Sequence, residues 1–499
     1  MGAILCVLTL APSGEAHAFG LEDVAQRAKQ LAGSTFNRPP IALPPELQNL
    51  QYEQYREIRM RPERTLWRGS KLPFEVGLAH PGWHFSQPVR ISEITAEGVR
   101  EIRFNPEDFD YGANKVDPQR LKDLSFAGLR IYYPMVNGDH KDEVLMFLGA
   151  SYFRAVGRGQ LYGAFARGLA VDTGLMSGEE FPGFVEFWIE RPAPGAKELV
   201  IYALLDSKSL SGAYRFVLKP GDDTVMEVRA QLFLRGKPGK IGLAPLTAMF
   251  FTGENHRVAP EDYRPELHTS DGLLVQAVTG EWIWRPLVNP KRLLVTSYSL
   301  TNPVGFGLMQ RDTNFASYQD LEGRYELRPS VWVRPKGEWG AGRVELVQIP
   351  TPDETNDNIV AYWVPDHAPQ PEQPYSFEYQ LTWQRNGGTQ PPISWVVQSR
   401  RGYPAGRKTE AGNASFRVDF DGAALRKLPP EARLEGVVTA DSNGEVLANE
   451  ITRNDALGGW RLMFRVRRVD PTKPVELRAY LRDRGNALSE IWSYIIPPD

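Results

Sequence analysis

Cysteine is all but absent from this chain: Cys6 is the one copy in 499 residues, and it lies in the N-terminal segment. Thiol nucleophiles and cysteine-bound metals are thereby excluded from the body of the protein. A charge surplus is missing as well, since 58 Lys and Arg face 61 Asp and Glu for a net charge of −3. Nucleic-acid binding needs clustered basic residues, so no nucleic-acid partner is expected. The 7 His are scattered, and no H-E-x-x-H pair occurs. His80-Pro81-Gly82-Trp83-His84 has helical spacing but a Pro-Gly break within it, so it reads as a turn. Neither G-x-G-x-x-G between strand and helix, nor a P-loop, nor G-x-S-x-G is present, which removes nucleotide folds and the α/β-hydrolase nucleophile. No metal and no cofactor are expected.

What the chain has instead is turns and rings. Gly (45), Pro (40) and 11% aromatics suit a turn-rich β protein. Abundant rings serve either a large β core or the flat faces of sugars, and composition does not separate the two. Leu21 to Leu31 is an amphipathic helix stopped at Gly33. Apolar or alternating strand segments then recur roughly every 8–12 residues, the spacing of sandwiches and barrels. Arg385-Asn386-Gly387-Gly388 and Gln390-Pro391-Pro392 mark a linker. Beyond it, about seven strand candidates in about a hundred residues suit an immunoglobulin-like sandwich without a cystine. The expected fold is all-β: one large sheet-rich domain and one small sandwich.

Residues 1–18 read as a secretory signal. The run Ala3–Ala11 is too short to span a bilayer, and Ala16-His17-Ala18 is a small-x-small cleavage pattern. Export without disulfides fits a Gram-negative periplasm, for a chain long enough to bury a large core. The expected organisation is therefore 1–18 signal, 19–386 large domain, 387–393 linker and 394–499 small domain.

Candidate chemistry gathers between Arg264 and Trp363. The stretch from Pro350 reads P-T-P-D-E-T-N-D-N-I-V-A-Y-W, which puts Asp353, Glu354 and Asp357 in a short loop. Its entry is stiffened by two prolines, and it leads into a buried strand. Loops held by a rigid scaffold are where chemistry tends to sit. Asp271 lies in an S-D-G turn ahead of Leu273-Leu274-Val275, and Trp282 and Trp284 follow. Two carboxyls across one bond, with ring platforms, are what polysaccharide cleavage requires.

Several segments in this region resemble the periplasmic glucan biosynthesis protein family, whose members are called G and D. They are Gln310-Arg311-Asp312 with Phe315, Tyr318-Gln319-Asp320, Arg328-Pro329-Ser330-Val331-Trp332-Val333 and Gly337-Glu338-Trp339-Gly340. Glu345 to Pro350, the E-T-N-D-N-I-V-A-Y-W run, Gly459-Trp460-Arg461-Leu462 and Leu488 to Tyr494 complete the set. The resemblance implies a galactose-mutarotase-like β-supersandwich followed by an immunoglobulin-like β-sandwich. It implies a periplasmic protein acting on the β-1,2-linked glucose backbone of osmoregulated periplasmic glucans. The activity would be that of an inverting endo-β-1,2-glucanase or a related transglycosylase. The alternative is a non-catalytic glucan-binding factor that assists an inner-membrane glucosyltransferase.

The two catalytic aspartates of the family fall on Asp271 and Asp357, and a substrate-contacting tyrosine on Tyr325. Asp357 is then the general acid and Asp271 the base that activates water. A protonated Asp357 calls for burial or a like charge nearby, for which Glu354 is the candidate. Arg264, His268, Asp312, Trp332, Trp339 and Glu354 complete the expected substrate-binding set. The Gly-rich, basic segment from Arg400 to Asn413 is expected to cover a sugar groove, its own or that of a second protomer in a homodimer.

Overall fold

The computed structural model describes residues 18–138, 140–258, 261–367, 369–371, 373–385, 387–402, 413–429 and 431–498. The expected signal segment (but for Ala18) and residues 403–412 of the groove-covering segment lie outside that set. Strand makes up 46% of the chain and helix 9%, so the all-β expectation holds. No helix among the described residues is long and apolar enough to cross a membrane.

Among the described residues the one long helix is Leu21–Ala32. Asp23 caps it by accepting from the Gly20 N–H at 2.7 Å, and acids open it while Lys29 closes it, as the helix dipole favours. Val24, Ala25 and Ala28 form its buried stripe. They pack with Trp188 and Tyr202 on the outer face of the larger sheet, and Arg27 lies 4.9 Å over the Trp188 ring.

Two large sheets carry the rest. In the ten-stranded sheet, Ile359–Pro365 runs between Ile241–Ala248 and Ala341–Gln348. Six of its seven residues are buried, as expected of a strand covered on both faces. In the fifteen-stranded sheet, Gly272–Gln276 runs between Trp282–Pro286 and Gly305–Met309. One continuous apolar core, with Phe147, Phe216, Leu246, Val275 and Trp383 among its members, fills the space between the sheets.

The C-terminal strands are tied directly into this frame. Ile491–Ile496 pairs in parallel with Trp282–Pro286, Trp492 opposite Trp284, and thereby extends the larger sheet. A second core joins Leu274, Trp284, Met309 and Trp332 to Phe416, Phe464 and Trp492. Trp492 is fully buried and donates to the Ser399 hydroxyl at 2.9 Å. Val475–Asp483 and Glu435–Ala440 continue the larger sheet beyond Ile491–Ile496, while Trp395–Arg401, Asn413–Asp421, Gly459–Arg468 and Gly444–Asn454 form a separate four-stranded sheet.

Asp271 and Asp357 each stand just before a central strand, one in each large sheet. The short ribbon Phe250–Thr252 with Leu267–His268 joins the two strand starts. On one side, Phe250 pairs with His268, three residues before Asp271. On the other, the buried Asn358 side chain accepts from Phe250 N at 2.9 Å and donates to Phe250 O at 3.0 Å. Both acids are therefore delivered to the same end of the sandwich.

Candidate active site

Asp271 is pinned before its side chain does anything. Its N–H donates to Met309 O at 2.9 Å and its carbonyl accepts from Leu287 N at 3.0 Å. Neighbouring strands thus fix both of its peptide groups. Its Oδ2 accepts from the Arg311 and Asp312 N–H groups, each at 2.9 Å, while Oδ1 has no protein partner among the described residues. The residue lines a cavity of about 30 Å³, which also touches Glu254, Glu266 and His268 and has room for a water. Burial pushes the Asp271 carboxyl up to about 6, against the opposing pull of His268 and the two N–H donors.

That shift has a stability consequence with a definite sign. A carboxyl whose pKa is higher in the folded chain than in the unfolded one contributes stability at low pH. The contribution is lost as pH rises from about 4 through the folded value near 6. Asp271→Asn is expected to raise Tm at pH 7.5 by the equivalent of ~1–3 kcal/mol and to leave it unchanged at pH 4. Calorimetry of both proteins at the two pH values checks this, and a rise of equal size at both would contradict it.

Behind Asp271 lies a buried polar chain. The Gln310 amide donates to His268 O at 3.1 Å and to the Tyr318 hydroxyl at 2.9 Å, so its Oε1 is left to accept from His268 Nδ1 at 3.0 Å. With Nδ1 committed as a donor, the proton between His268 Nε2 and Glu266, 3.0 Å apart, is shared by that pair. Burial pulls His268 down, but the Glu266 hydrogen bond and charge prevail, so its pKa is raised. Carboxylate oxygens of Glu254, Glu266 and Asp312 lie within 4.8 Å of one another. Such crowding is relieved by a shared cation or by a proton. Glu254 favours the proton: burial first, then Glu266, push it up to about 8, with Arg400 opposing.

Asp357 is set differently. The loop before it is held by Asn289, which exchanges hydrogen bonds with Thr351 at 2.9 and 3.0 Å, and by the turn in which Asp353 accepts from Thr355 N. Among the described residues no hydrogen bond or ion pair reaches the Asp357 carboxyl, and the residue is open to solvent. Desolvation by the surrounding chain nevertheless pushes its carboxyl up to about 6, while Arg154, Arg167 and Arg328 draw it down. Glu354, expected to raise it, is turned away: its Oε1 meets Arg264 Nη2 at 3.0 Å. Arg264 also holds Asp262 at 2.8 Å and Asp320 at 3.4 Å.

Tyr325 bridges the two halves. Its ring stacks on Tyr318, 5.8 Å away, and Arg328 lies 3.8 Å over it. Tyr318 in turn meets His268 edge-on at 5.3 Å. A largely buried chain of ring contacts, His268 to Tyr318 to Tyr325 to Arg328, thus runs from a residue whose charge acts on Asp271 to one whose charge acts on Asp357.

Trp332 and Trp339 are placed elsewhere. Trp332 is 3% exposed in the second core, stacked on Trp282, and Trp339 is 8% exposed in the first, its Nε1 donating to Glu378 O. Neither ring offers an open face to a sugar. Tyr263 does, at 73% exposure beside Arg264, and sequence spacing gave it no distinction from other loop tyrosines. Arg154, Arg167, Glu254 and Arg328 were also missed, because strand and loop residues far apart in the chain carry no local signal of convergence.

Comparison with known proteins places this geometry in a family. The profile of the family described as "Periplasmic glucan biosynthesis protein, MdoG" matches residues 19–496. The chain belongs to the periplasmic glucan biosynthesis protein family. A family member from Ralstonia nicotianae, glucans biosynthesis protein G, is 59% identical over 498 residues, covering 99% of both chains. The glucans biosynthesis protein G of Pseudomonas aeruginosa is 50% identical over 490 residues, covering 97% of this chain and 93% of its own. Among solved structures, a Paenibacillus xanthan lyase aligns with 79% of this chain and 36% of its own at 10% identity, with a TM-score of 0.18, too slight to bear on the fold.

Proposed function

We propose that this periplasmic glucan biosynthesis protein works in the periplasm as an inverting endo-β-1,2-glucanase, or as a transglycosylase using the same acid. Asp357 would protonate the glycosidic oxygen as the C1–O bond breaks. Asp271 would take a proton from the water that attacks C1 on the opposite face, giving an α-configured reducing end. The observation that carries this reading is the pair of carboxyls pushed to about 6, one before each central strand at a shared end of the sandwich. A cavity of water size at Asp271 suits the base, and an open, unpartnered carboxyl suits the acid. The charges that act on the two carboxyls form separate sets, His268 and Arg311 for one and Arg154, Arg167 and Arg328 for the other. Inversion leaves room for a water between the two carboxyls, and across a wider gap the proton would pass to Asp271 through water or a sugar hydroxyl. Arg264, Asp312 and Arg328 would contact the glucan, whereas His268 (0% exposed) and the Tyr325 ring (6%), expected to touch it, are buried behind them. The Arg400 to Asn413 segment would cover it, within one protomer or across a homodimer.

The pH dependence follows from the roles. Activity falls below about 6 as the base is protonated and above about 6 as the acid ionises, giving a bell with its maximum near pH 6. A rate that climbs steadily to pH 9 would contradict the assignment of Asp357 as acid. The relatives' name speaks of glucan biosynthesis, and a second reading compatible with it is a non-catalytic glucan-binding factor that assists an inner-membrane glucosyltransferase. Incubation with linear β-1,2-glucan separates the two readings. New reducing ends that vanish in Asp357→Asn support the hydrolase, and rearranged or cyclic products without them support the transglycosylase. No change in the glucan supports the binding factor.

A further inference from the structure

The C-terminal part of the chain grips the residue that holds Asp271. Arg311 Nη1 and Nη2 donate to Glu490 Oε1 and Oε2 at 2.5 and 3.0 Å, and Nη1 also donates to Val396 O at 2.8 Å. The Glu490 side chain has no exposed surface, and its Oε1 accepts in addition from Val396 N at 2.8 Å. Its own N–H donates to Ser394 O at 2.9 Å, which fixes it to the chain just past the linker. The face of the guanidinium lies 3.7 Å from the Trp284 ring, whose strand pairs with the strand of Trp492. Every contact named for this guanidinium except Trp284 therefore comes from beyond residue 393.

A bidentate arginine–carboxylate fork fixes orientation as well as distance, and burial removes the water that would let it slip. Buried ion pairs add little net stability beside apolar packing of the same shape, so specificity is the better account of their presence. Here the backbone of the gripped residue has a task of its own. The Arg311 and Asp312 N–H groups are the two donors to Asp271 Oδ2. A shift of the Arg311 backbone would turn both away, and a side chain anchored at its far end opposes that shift.

We propose that Glu490 is a positioning residue: by locking Arg311 from the C-terminal part, it keeps two backbone donors trained on Asp271 and couples that acid's ionisation to the docking of the two parts. The catalytic consequence rests on Asp271 acting as base; the positioning itself does not. Charge-preserving variants isolate the geometry. Glu490→Asp shortens the reach by one methylene, and Arg311→Lys removes the fork, each without altering net charge.

The test is a pH titration of the Asp271 carboxyl carbon by NMR in the full-length chain labelled with 13C-aspartate, the resonance being assigned by its loss in Asp271→Asn. The Asp271 midpoint is expected to rise by about one pH unit in either variant as the donors slacken. The acid limb of kcat should move by the same amount, with KM changed less than about twofold, because a positioning group acts on proton transfer rather than on binding. If Glu490→Asp fails to fold, Arg311→Lys decides alone. A midpoint that stays put while Tm falls would make the pair a staple between the two parts and overturn the proposal. Should the wild-type protein leave glucan intact, the hydrolase reading fails while the titration still decides this one.

Discussion

Asp357→Asn is expected to lower β-1,2-glucan cleavage about 1,000-fold, within the range set by loss of a general acid, while the fold and glucan binding persist. Structural side effects should be small because Asp357 supports nothing: no hydrogen bond or ion pair among the described residues ends on its carboxyl. The loop is held by its neighbours instead, Asn358 through Phe250 and Thr351 through Asn289. Amide for acid keeps the shape and removes the proton. Arg154, Arg167 and Arg328 remain beside residue 357 as donors for sugar hydroxyls, so KM should move much less than kcat. The measurement is a pair of initial-rate curves on linear β-1,2-glucan, with calorimetry to confirm folding. A variant as fast as wild type would remove the acid from the mechanism.

Gly272→Ala is the second large effect, and it tests how Asp271 is held. A Cβ at Gly272 would overlap the Trp284 ring, which lies flat across the glycine. That ring cannot withdraw, because Arg311 covers it at 3.7 Å and its strand is paired with the strand of Trp492. Overpacking of this kind costs about 1–3 kcal/mol where neighbours yield, and more where they do not. The expected loss is about 3 kcal/mol or more, with cleavage falling as the turn at Asp271 shifts. Urea unfolding reads the stability, and Gly138→Ala, where nothing lies within 4 Å of the added carbon, is the control with an effect near zero. Equal midpoints for the two variants would show that the Trp284 ring adapts freely.

Much of the strand pattern was written locally. Gly128–Tyr133 and Ile491–Ile496 are apolar strands of the kind the turn spacing predicts, and the N-terminal helix extends one residue beyond Leu31. Alternation and turn residues act over a few positions, so they survive in any reading of the chain. The proline-stiffened loop into a buried strand at 359 was legible for the same reason. The meeting of that loop with the turn at Asp271 was not, because it runs through Phe250, more than a hundred residues from Asn358 in the chain. Long-range pairing also hid the parallel contact of Trp284 with Trp492, which draws the C-terminal strands into the larger sheet. Trp332 and Trp339 show the limit of composition: an aromatic near acids reads as a sugar platform until burial puts it in a core. Glu354 reads as a like charge for Asp357 until Arg264 claims it. Charge partners are settled by folding, not by sequence distance.

The most direct measurement is a crystal structure of the Asp357→Asn protein with a β-1,2-linked glucose oligosaccharide. The expected result is a sugar chain passing Arg328, one glycosidic oxygen within hydrogen-bond reach of residue 357 and a water on Asp271 at the far side of that linkage. An oligosaccharide bound elsewhere, or one that touches only one of the two residues with no water path to the other, would contradict a shared acid–base site.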